Sequence, residues 1–368
     1  GALAVQGWWP RWLSLSKYSD ISHLAEFGVV FLLFMIGLEL SFERLSRMKR
    51  LVFGLGAVQV IGSAALIGFA AWIAGVGPGA AAVIGGALAL SSTAIVIPVL
   101  AEKRRLGSTA GRVTFSVLLF QDLAVAPLLV MVSMLSRGDG GAFNIGALGA
   151  LAPAALAMAA LVFVGRIALR PLFHLVAAAG TTEFFVAACL FVVMAASIAA
   201  SLAGLSMGLG AFVAGLLLAE TEFRREIEVT IEPFKGLLLG LYFLTMGAGL
   251  DLSKLFLSPG SVLALALGLI IGKAALFYLA ARAFGVAKSA ARESALMLGP
   301  GGEFAFVMIG AATAGGVMSF ALSAQLTISV ALSMLAIPGL ALIARRLAPA
   351  PPQPGLPSPG DSADAAPI

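Results

Sequence analysis

Between residues 23 and 346 the chain repeats one pattern: an apolar run of about twenty residues, then a short polar connection. Eleven such runs can be marked, at 24–40, 51–76, 80–101, 110–136, 146–169, 182–203, 206–220, 234–250, 260–284, 290–316 and 319–344. A helix of about twenty apolar residues crosses a hydrocarbon layer of about 30 Å. The period-two alternation of a membrane barrel is absent, which leaves helices as the way to satisfy the backbone in lipid. The pattern therefore predicts an all-α polytopic membrane protein.

Charge tests the count. Of the 23 Lys and Arg residues, eighteen fall in the connections after the odd-numbered runs and at the C-terminal end, four on the opposite side, and Lys273 inside a run. By the positive-inside rule the first set faces the cytoplasm. Composition agrees: 60% of residues are hydrophobic and 11% charged, with a mean hydropathy of +1.05. Soluble domains carry roughly 25% charged residues, so a soluble enzyme is excluded. The single cysteine, Cys189, allows neither a disulfide framework nor a thiolate metal site within one chain.

The organisation expected is an extracytoplasmic segment at 1–22, a membrane domain at 23–346 and a Pro-rich, disordered cytoplasmic tail at 347–368. The first segment has no charged leader and reads as no signal peptide, with part of the native N-terminus missing.

GLELS at 37–41 returns as GLDLS at 249–253, and at the same offset of 212 Gly28, Phe31 and Leu32 meet Gly240, Phe243 and Leu244. Seven runs separate the copies, an odd number, so the second is inverted. Inverted repeats, here around 24–136 and 234–344, are the architecture of secondary transporters, whose sites lie at the repeat interface near mid-membrane. The offset pairs two interruptions of the apolar pattern, ALALSSTAIVIP and LMLGPGGEFAFV. In the first, Ser91, Ser92 and Thr93 compete for backbone groups; in the second, Pro300, Gly301 and Gly302 relax the helix. Broken helices at corresponding places in two halves point to a transport site.

Asp122 lies ten residues beyond Arg112, Glu303 eleven beyond Arg292, and Lys273 nine before Arg282. At 1.5 Å per residue each sits about 15 Å from the charged rim, and Thr93 shares that depth. Intramembrane charges mark ion or proton paths. Lys273 is the natural partner of Asp122, in a pair that a cation or a proton on Asp122 would compete to break. Gln121 adds an amide oxygen without charge.

Other features are weaker. His23 and His174 read as surface residues, and no HExxH or Walker-type loop is present. GLGAFVAG at 208–215 reads as a helix-packing face. TEFRREIEVTIEPFKG at 221–236 reads as an interfacial amphipathic helix, or as a docking surface for a regulatory domain through Glu226, Glu228 and Glu232.

Six stretches carry a resemblance: HLAEFGVVFLLFMIGLEL, ALSSTAIVIPVL, LLFQDLAVAPL, GAFVAGLLLAETEFR, IEPFKGLLLGLYFLTMGAGLDL and GGEFAF. On these the chain resembles the cation:proton antiporter-2 family, and most closely its Kef-type glutathione-gated potassium efflux systems. The resemblance implies a sodium/proton-antiporter-like fold of thirteen spans, so that two N-terminal spans would be absent here. It implies that Asp122 alternates between cation and proton beside Gln121, and that the breaks at Ser91–Thr93 and Gly301–Glu303 cross. It matches Lys273 to the family's intramembrane lysine. It further implies a homodimer whose core domain moves past a dimerisation domain in an elevator-like cycle. Kef systems usually carry a cytoplasmic nucleotide-binding domain where a Pro-rich tail is read here, and Val229 and Thr230 replace a polar and acidic pair common in Kef members, so glutathione gating is not expected.

The function expected is antiport of a monovalent cation, K⁺ favoured and Na⁺ possible, against protons across a plasma or inner membrane. Lipid and the ions are the partners, with a second copy of the chain and a separate cytoplasmic regulatory subunit as further candidates; neither cofactor nor nucleic acid is expected. A sodium-coupled organic-anion carrier is the alternative. A scaffold or an intramembrane aspartyl protease, pairing Asp122 with Glu303, is a third.

Overall fold

A computed structural model describes residues 18–39, 49–137, 147–202, 207–249 and 258–347, and among these every regular element is helical. The first half holds α1 (Tyr18–Glu39), α2 (Arg50–Ile73, π-wound over Arg50–Gly56), α3 (Pro78–Ala89), α4 (Thr93–Glu102) and α5 (Thr109–Arg137). Then come α6 (Ala147–Ala178), α7 (Thr182–Leu202) and α8 (Met207–Leu218). The second half holds α9 (Arg224–Gly249), α10 (Pro259–Ala283), α11 (Lys288–Leu298), α12 (Glu303–Ala314), α13 (Phe320–Leu335) and α14 (Ile337–Leu347).

Each of the eleven apolar runs overlaps one helix, one broken helix or one bent pair. Among the described residues, six helices are long and apolar enough to cross a membrane, and the bent pairs α11–α12 (40°) and α13–α14 (42°) raise that to as many as eight. Phe27–Leu38 and Met207–Leu218 are shorter apolar helices. Outward faces carry exposed Ile61, Phe69 and Trp72 on α2, Phe163 and Ile167 on α6, and Phe191 on α7. Such surfaces are stable in lipid, and the chain is a multi-pass membrane protein.

The order of elements repeats: helix, helix, broken helix, helix in α1–α5, and the same in α9–α14. Gly75 after α2 and Gly285 after α10 both take positive φ, +88° and +82°, where a side chain would be strained. They lie 210 residues apart, as do Thr93 and Glu303, the first residues after the two breaks. The spacing here is thus two short of the 212 that aligns GLELS with GLDLS. Most of the second of those motifs lies outside the described residues.

Two apolar cores share a wall. One gathers α2–α5 and α10–α14 around Leu88, Val117, Phe277 and Phe304; the other gathers Phe34 and Met35 of α1, Phe173 of α6, Val193 of α7 and Ile227 of α9. Helices α1 and α8 belong to both. They touch backbone to backbone: a Cβ on Gly37 would lie 2.2 Å from the Phe212 carbonyl oxygen, and one on Gly215 2.0 Å from that of Phe34. The glycines of GLGAFVAG therefore serve packing, as their spacing suggests.

One expectation needs correcting. The segment 221–236 is no separate interfacial helix, since α9 runs unbroken from Arg224 through Pro233 to Gly249. Phe223, Ile227 and Ile231, four residues apart, form a stripe that is buried in the second core rather than laid on a membrane surface. Glu226 and Glu232 stay exposed and Glu228 half-buried.

Candidate functional site at the helix crossing

Both breaks fall where the sequence places them. Helix α3 ends at Ala89 and α4 starts at Thr93; α11 ends at Leu298 and α12 starts at Glu303. They meet at Gly302, where a Cβ would lie 2.6 Å from the Ser91 carbonyl carbon and 3.0 Å from the Ser92 nitrogen. Only a residue without a side chain allows two chains to cross this closely.

Each break frees backbone groups that must find partners away from water. In the first, the Ser91 N–H donates to Gln121 Oε1 at 2.8 Å, Gln121 Nε2 to Gln59 Oε1 at 2.7 Å, and Gln59 Nε2 to the Ala89 carbonyl at 3.0 Å. Two carboxamides in series thus splice the gap, beginning and ending on its own backbone. Ser92 caps α4, its hydroxyl accepting from Ile95 N at 3.3 Å. In the second break the Gly301 N–H donates to Ser333 Oγ at 3.0 Å. Gln121 and Ser333 are 212 residues apart, so the same position of the repeat supports both breaks.

Lys273 joins the two. Its ammonium donates to the Leu90 carbonyl at 2.7 Å, the Pro300 carbonyl at 2.8 Å and Ser91 Oγ at 3.0 Å. All three N–H groups of the ammonium are matched by these acceptors. The lysine that the sequence pairs with Asp122 is thus tied to helix-break oxygens. The reason is electrostatic: the C-terminal ends of α3 and α11 converge here, and each carries partial negative charge.

The acids collect at the opposite poles. Asp122, on α5 and 6% exposed, accepts from Thr93 Oγ1, which lies 3.1 and 3.2 Å from its two oxygens. Glu303, on the first turn of α12 and 1% exposed, accepts from Ala94 N at 3.3 Å through Oε1. Both therefore face the first turn of α4, where unpaired N–H groups favour negative charge. Thr93, Ala94 and Ile95 are only half-buried, so this flank is the more open side of the crossing.

Every membrane-buried residue singled out from the sequence thus lies in one cluster: Ser91, Ser92, Thr93, Gln121, Asp122, Lys273, Pro300, Gly301, Gly302 and Glu303. Glu226, Glu228 and Glu232 lie apart on α9. Sequence reading missed Gln59 and Ser333. Gln59 is a lone amide in the apolar run AVQVIGSAAL, and that isolation was its signal. It also missed a clasp between Arg105, after α4, and Glu293 of α11. Arg105 Nε donates to Glu293 Oε1 at 2.8 Å while Nη2 bonds the other oxygen, and this bonding raises the Arg105 pKa above its ordinary value. Close by, Ser294 Oγ donates to the Ala110 carbonyl at 3.1 Å. Among the described residues, no three His, Cys, Asp or Glu side chains cluster as a metal site.

Two broken helices crossing beside a buried carboxylate form the architecture of an ion exchanger, and comparison with known proteins agrees. The family described as "Sodium/hydrogen exchanger, transmembrane" matches residues 3–344. The chain is 50% identical over 326 residues to K(+) efflux antiporter 1, chloroplastic, of Arabidopsis thaliana, covering 86% of this chain and 27% of that protein. It is 43% identical over 328 residues to the glutathione-regulated potassium-efflux system protein KefC of Klebsiella pneumoniae, covering 89% and 53%. The chain therefore spans between about a quarter and a half of these relatives' lengths. Its fold matches the sodium proton antiporter MjNhaP1 of Methanocaldococcus jannaschii with a TM-score of 0.65 at 16% identity, over 90% of this chain and 88% of that one. The chain belongs to the sodium/hydrogen exchanger family.

Proposed function

We propose that the chain exchanges a monovalent cation for protons across a membrane, with Asp122 as the group that holds each in turn. The observation that carries this reading is the position of Asp122, buried at mid-helix yet facing the half-open first turn of α4 through Thr93. An ionised carboxylate there attracts a small cation, and a proton removes that attraction. K⁺ is the favoured ion because the relatives at 43–50% identity are potassium efflux systems by name; Na⁺ is the other candidate.

In this reading Gln121 holds the break rather than the ion, since both ends of its carboxamide are engaged. Lys273 fixes the crossing. Alternating access follows an elevator-like movement of the core holding the broken helices, within a homodimer, with the Arg- and Lys-rich rim and the C-terminus on the cytoplasmic side. The acidic face of α9, through Glu226, Glu228 and Glu232, is where a regulatory subunit would dock. Carriage of an organic anion is disfavoured, because the N–H groups of Lys273 already have acceptors.

The test is dye-reported proton flux in proteoliposomes on addition of K⁺, Na⁺ or Li⁺. Asp122→Asn is expected to abolish cation-driven flux while the folded protein remains; undiminished exchange would remove the reading.

A further inference from the structure

Glu303 raises a question that the exchange reading leaves open. Its side chain is 1% exposed, and it is reached by Ser92 and Ala94 at the start of α4 and by its own backbone N–H. Oxygen Oε2 has no hydrogen-bond partner among the described residues. Leaving a buried carboxylate oxygen unmatched is costly, and Lys273 cannot relieve it with donors already matched to Leu90, Ser91 and Pro300. An open oxygen in such a place is a position for a ligand.

Its neighbours define which ligand. Ala94, which holds Glu303, follows Thr93, which holds Asp122, so two carboxylates approach one helical turn. The ionisable groups at the crossing are Lys273, Asp122 and Glu303. With all three charged their sum is one negative charge, which one monovalent cation or one proton cancels. Without Glu303 the charges of Lys273 and Asp122 would already cancel, and the empty site would hold no net attraction for a cation.

We propose that Glu303 is the second anionic group of the cation site, its open Oε2 facing the ion while Asp122 alone trades ion for proton. This rests on the exchange reading of Asp122. A cation then meets two carboxylates, whereas a proton needs only one, so Glu303 sets cation affinity without being a proton carrier.

The test is exchange by the purified chain in proteoliposomes, with cation KM and maximal rate measured separately. Glu303→Gln keeps the shape and removes the charge; it is expected to raise the KM for K⁺ or Na⁺ by about tenfold or more, a larger factor than any fall in maximal rate, and to move the pH midpoint downward because Asp122 loses a negative neighbour. Glu303→Asp keeps the charge but withdraws the oxygen by one methylene, and is expected to raise KM by a smaller factor. Should the Gln variant fail to fold, the Asp variant carries the test alone. A wild-type KM in whichever of them folds overturns the proposal. So does exchange driven by membrane potential in the wild type and insensitive to it in Glu303→Gln, since Glu303 would then be moving a proton itself. Loss of exchange in Asp122→Asn together with an unchanged KM in Glu303→Gln would remove this inference and leave the exchange reading standing. Undiminished exchange in Asp122→Asn would remove both.

Discussion

The two broken helices reach one geometry by opposite means. The first breaks at Leu-Ser-Ser, whose hydroxyls take over backbone bonding: Ser91 Oγ donates to Leu298 O at 2.7 Å, Ser92 caps α4, and Thr93 turns to Asp122. The second breaks at Gly-Pro-Gly-Gly, which removes one donor at Pro300 and the side chains of three residues, so that Gly302 can lie against the Ser91 backbone. One break offers side chains to the site and the other gives way to them. A shared fold therefore does not make the two halves equivalent: Asp122 in the first half corresponds to Met334 in the second, 212 residues on. The polar supports are shared between halves, and the acid at Asp122 is not.

That asymmetry can be tested from its strongest consequence downward. Asp122→Asn is expected to abolish exchange in proteoliposomes, whereas Met334→Leu, at the corresponding place, leaves it near wild type; equal losses would break the comparison. Lys273→Met strips the donor from the Leu90 and Pro300 carbonyls, which belong to different breaks, and is expected to cost about 3 kcal/mol. It should appear as a large drop in melting temperature in detergent. Gly302→Ala drives a Cβ into Ser91 backbone that cannot move aside, at about 1–3 kcal/mol. Gly301→Ala meets the Val330 side chain at 3.1 Å, which can shift, so the same melting measurement should separate the two glycines. Gln121→Ala removes two links of the first splice and Ser333→Ala one link of the second, so losses of about 2 and about 1 kcal/mol are expected in that order.

The smallest effect lies away from both breaks, on the charged rim. Glu222 accepts from Arg170 at 3.4 Å and lies 2.8 Å from His174 Nε2, and its pKa is lowered, first by a backbone hydrogen bond and then by Arg170 and His174. His174 is therefore a surface residue, as its position in the sequence suggested, but an engaged one. A depressed carboxylate pKa gives stability that is present above the ordinary carboxylate range and lost as pH falls through the folded-state value. The cluster is exposed, so Glu222→Gln should shift the melting temperature barely above error at pH 7, and not at all once Glu222 is protonated in the wild type.

Much of the site was legible because its parts break rules that lipid enforces. Asp122, Lys273 and Glu303 are charges where charge is costly, and SST and PGG interrupt runs that otherwise continue. What sequence could not supply was who bonds to whom. The pairing of Lys273 with Asp122 followed from opposite charge and equal depth. The helix-end carbonyls of Leu90 and Pro300 that Lys273 also holds carry no mark in a sequence, because every residue has one. Gln59 and Ser333 escaped for a related reason: neutral polar residues in apolar helices are common, and their roles are fixed by neighbours far along the chain. The continuity of α9 through Pro233 escaped because the break signal of proline is overridden where a buried stripe of Phe223, Ile227 and Ile231 holds the helix in line.

Ser91 has a consequence of its own. A hydroxyl owns one proton, and here that proton must point at the Leu298 carbonyl, because a carbonyl can only accept. The lone pairs of the same oxygen must then receive Lys273, because an ammonium can only give. The chain from Lys273 through Ser91 to Leu298 is thus a one-way street that ends at an oxygen unable to pass a proton on. Under the proposed exchange, a proton from Asp122 would gain nothing from that dead end and would leave along the other bank, past Thr93 and the half-buried first turn of α4.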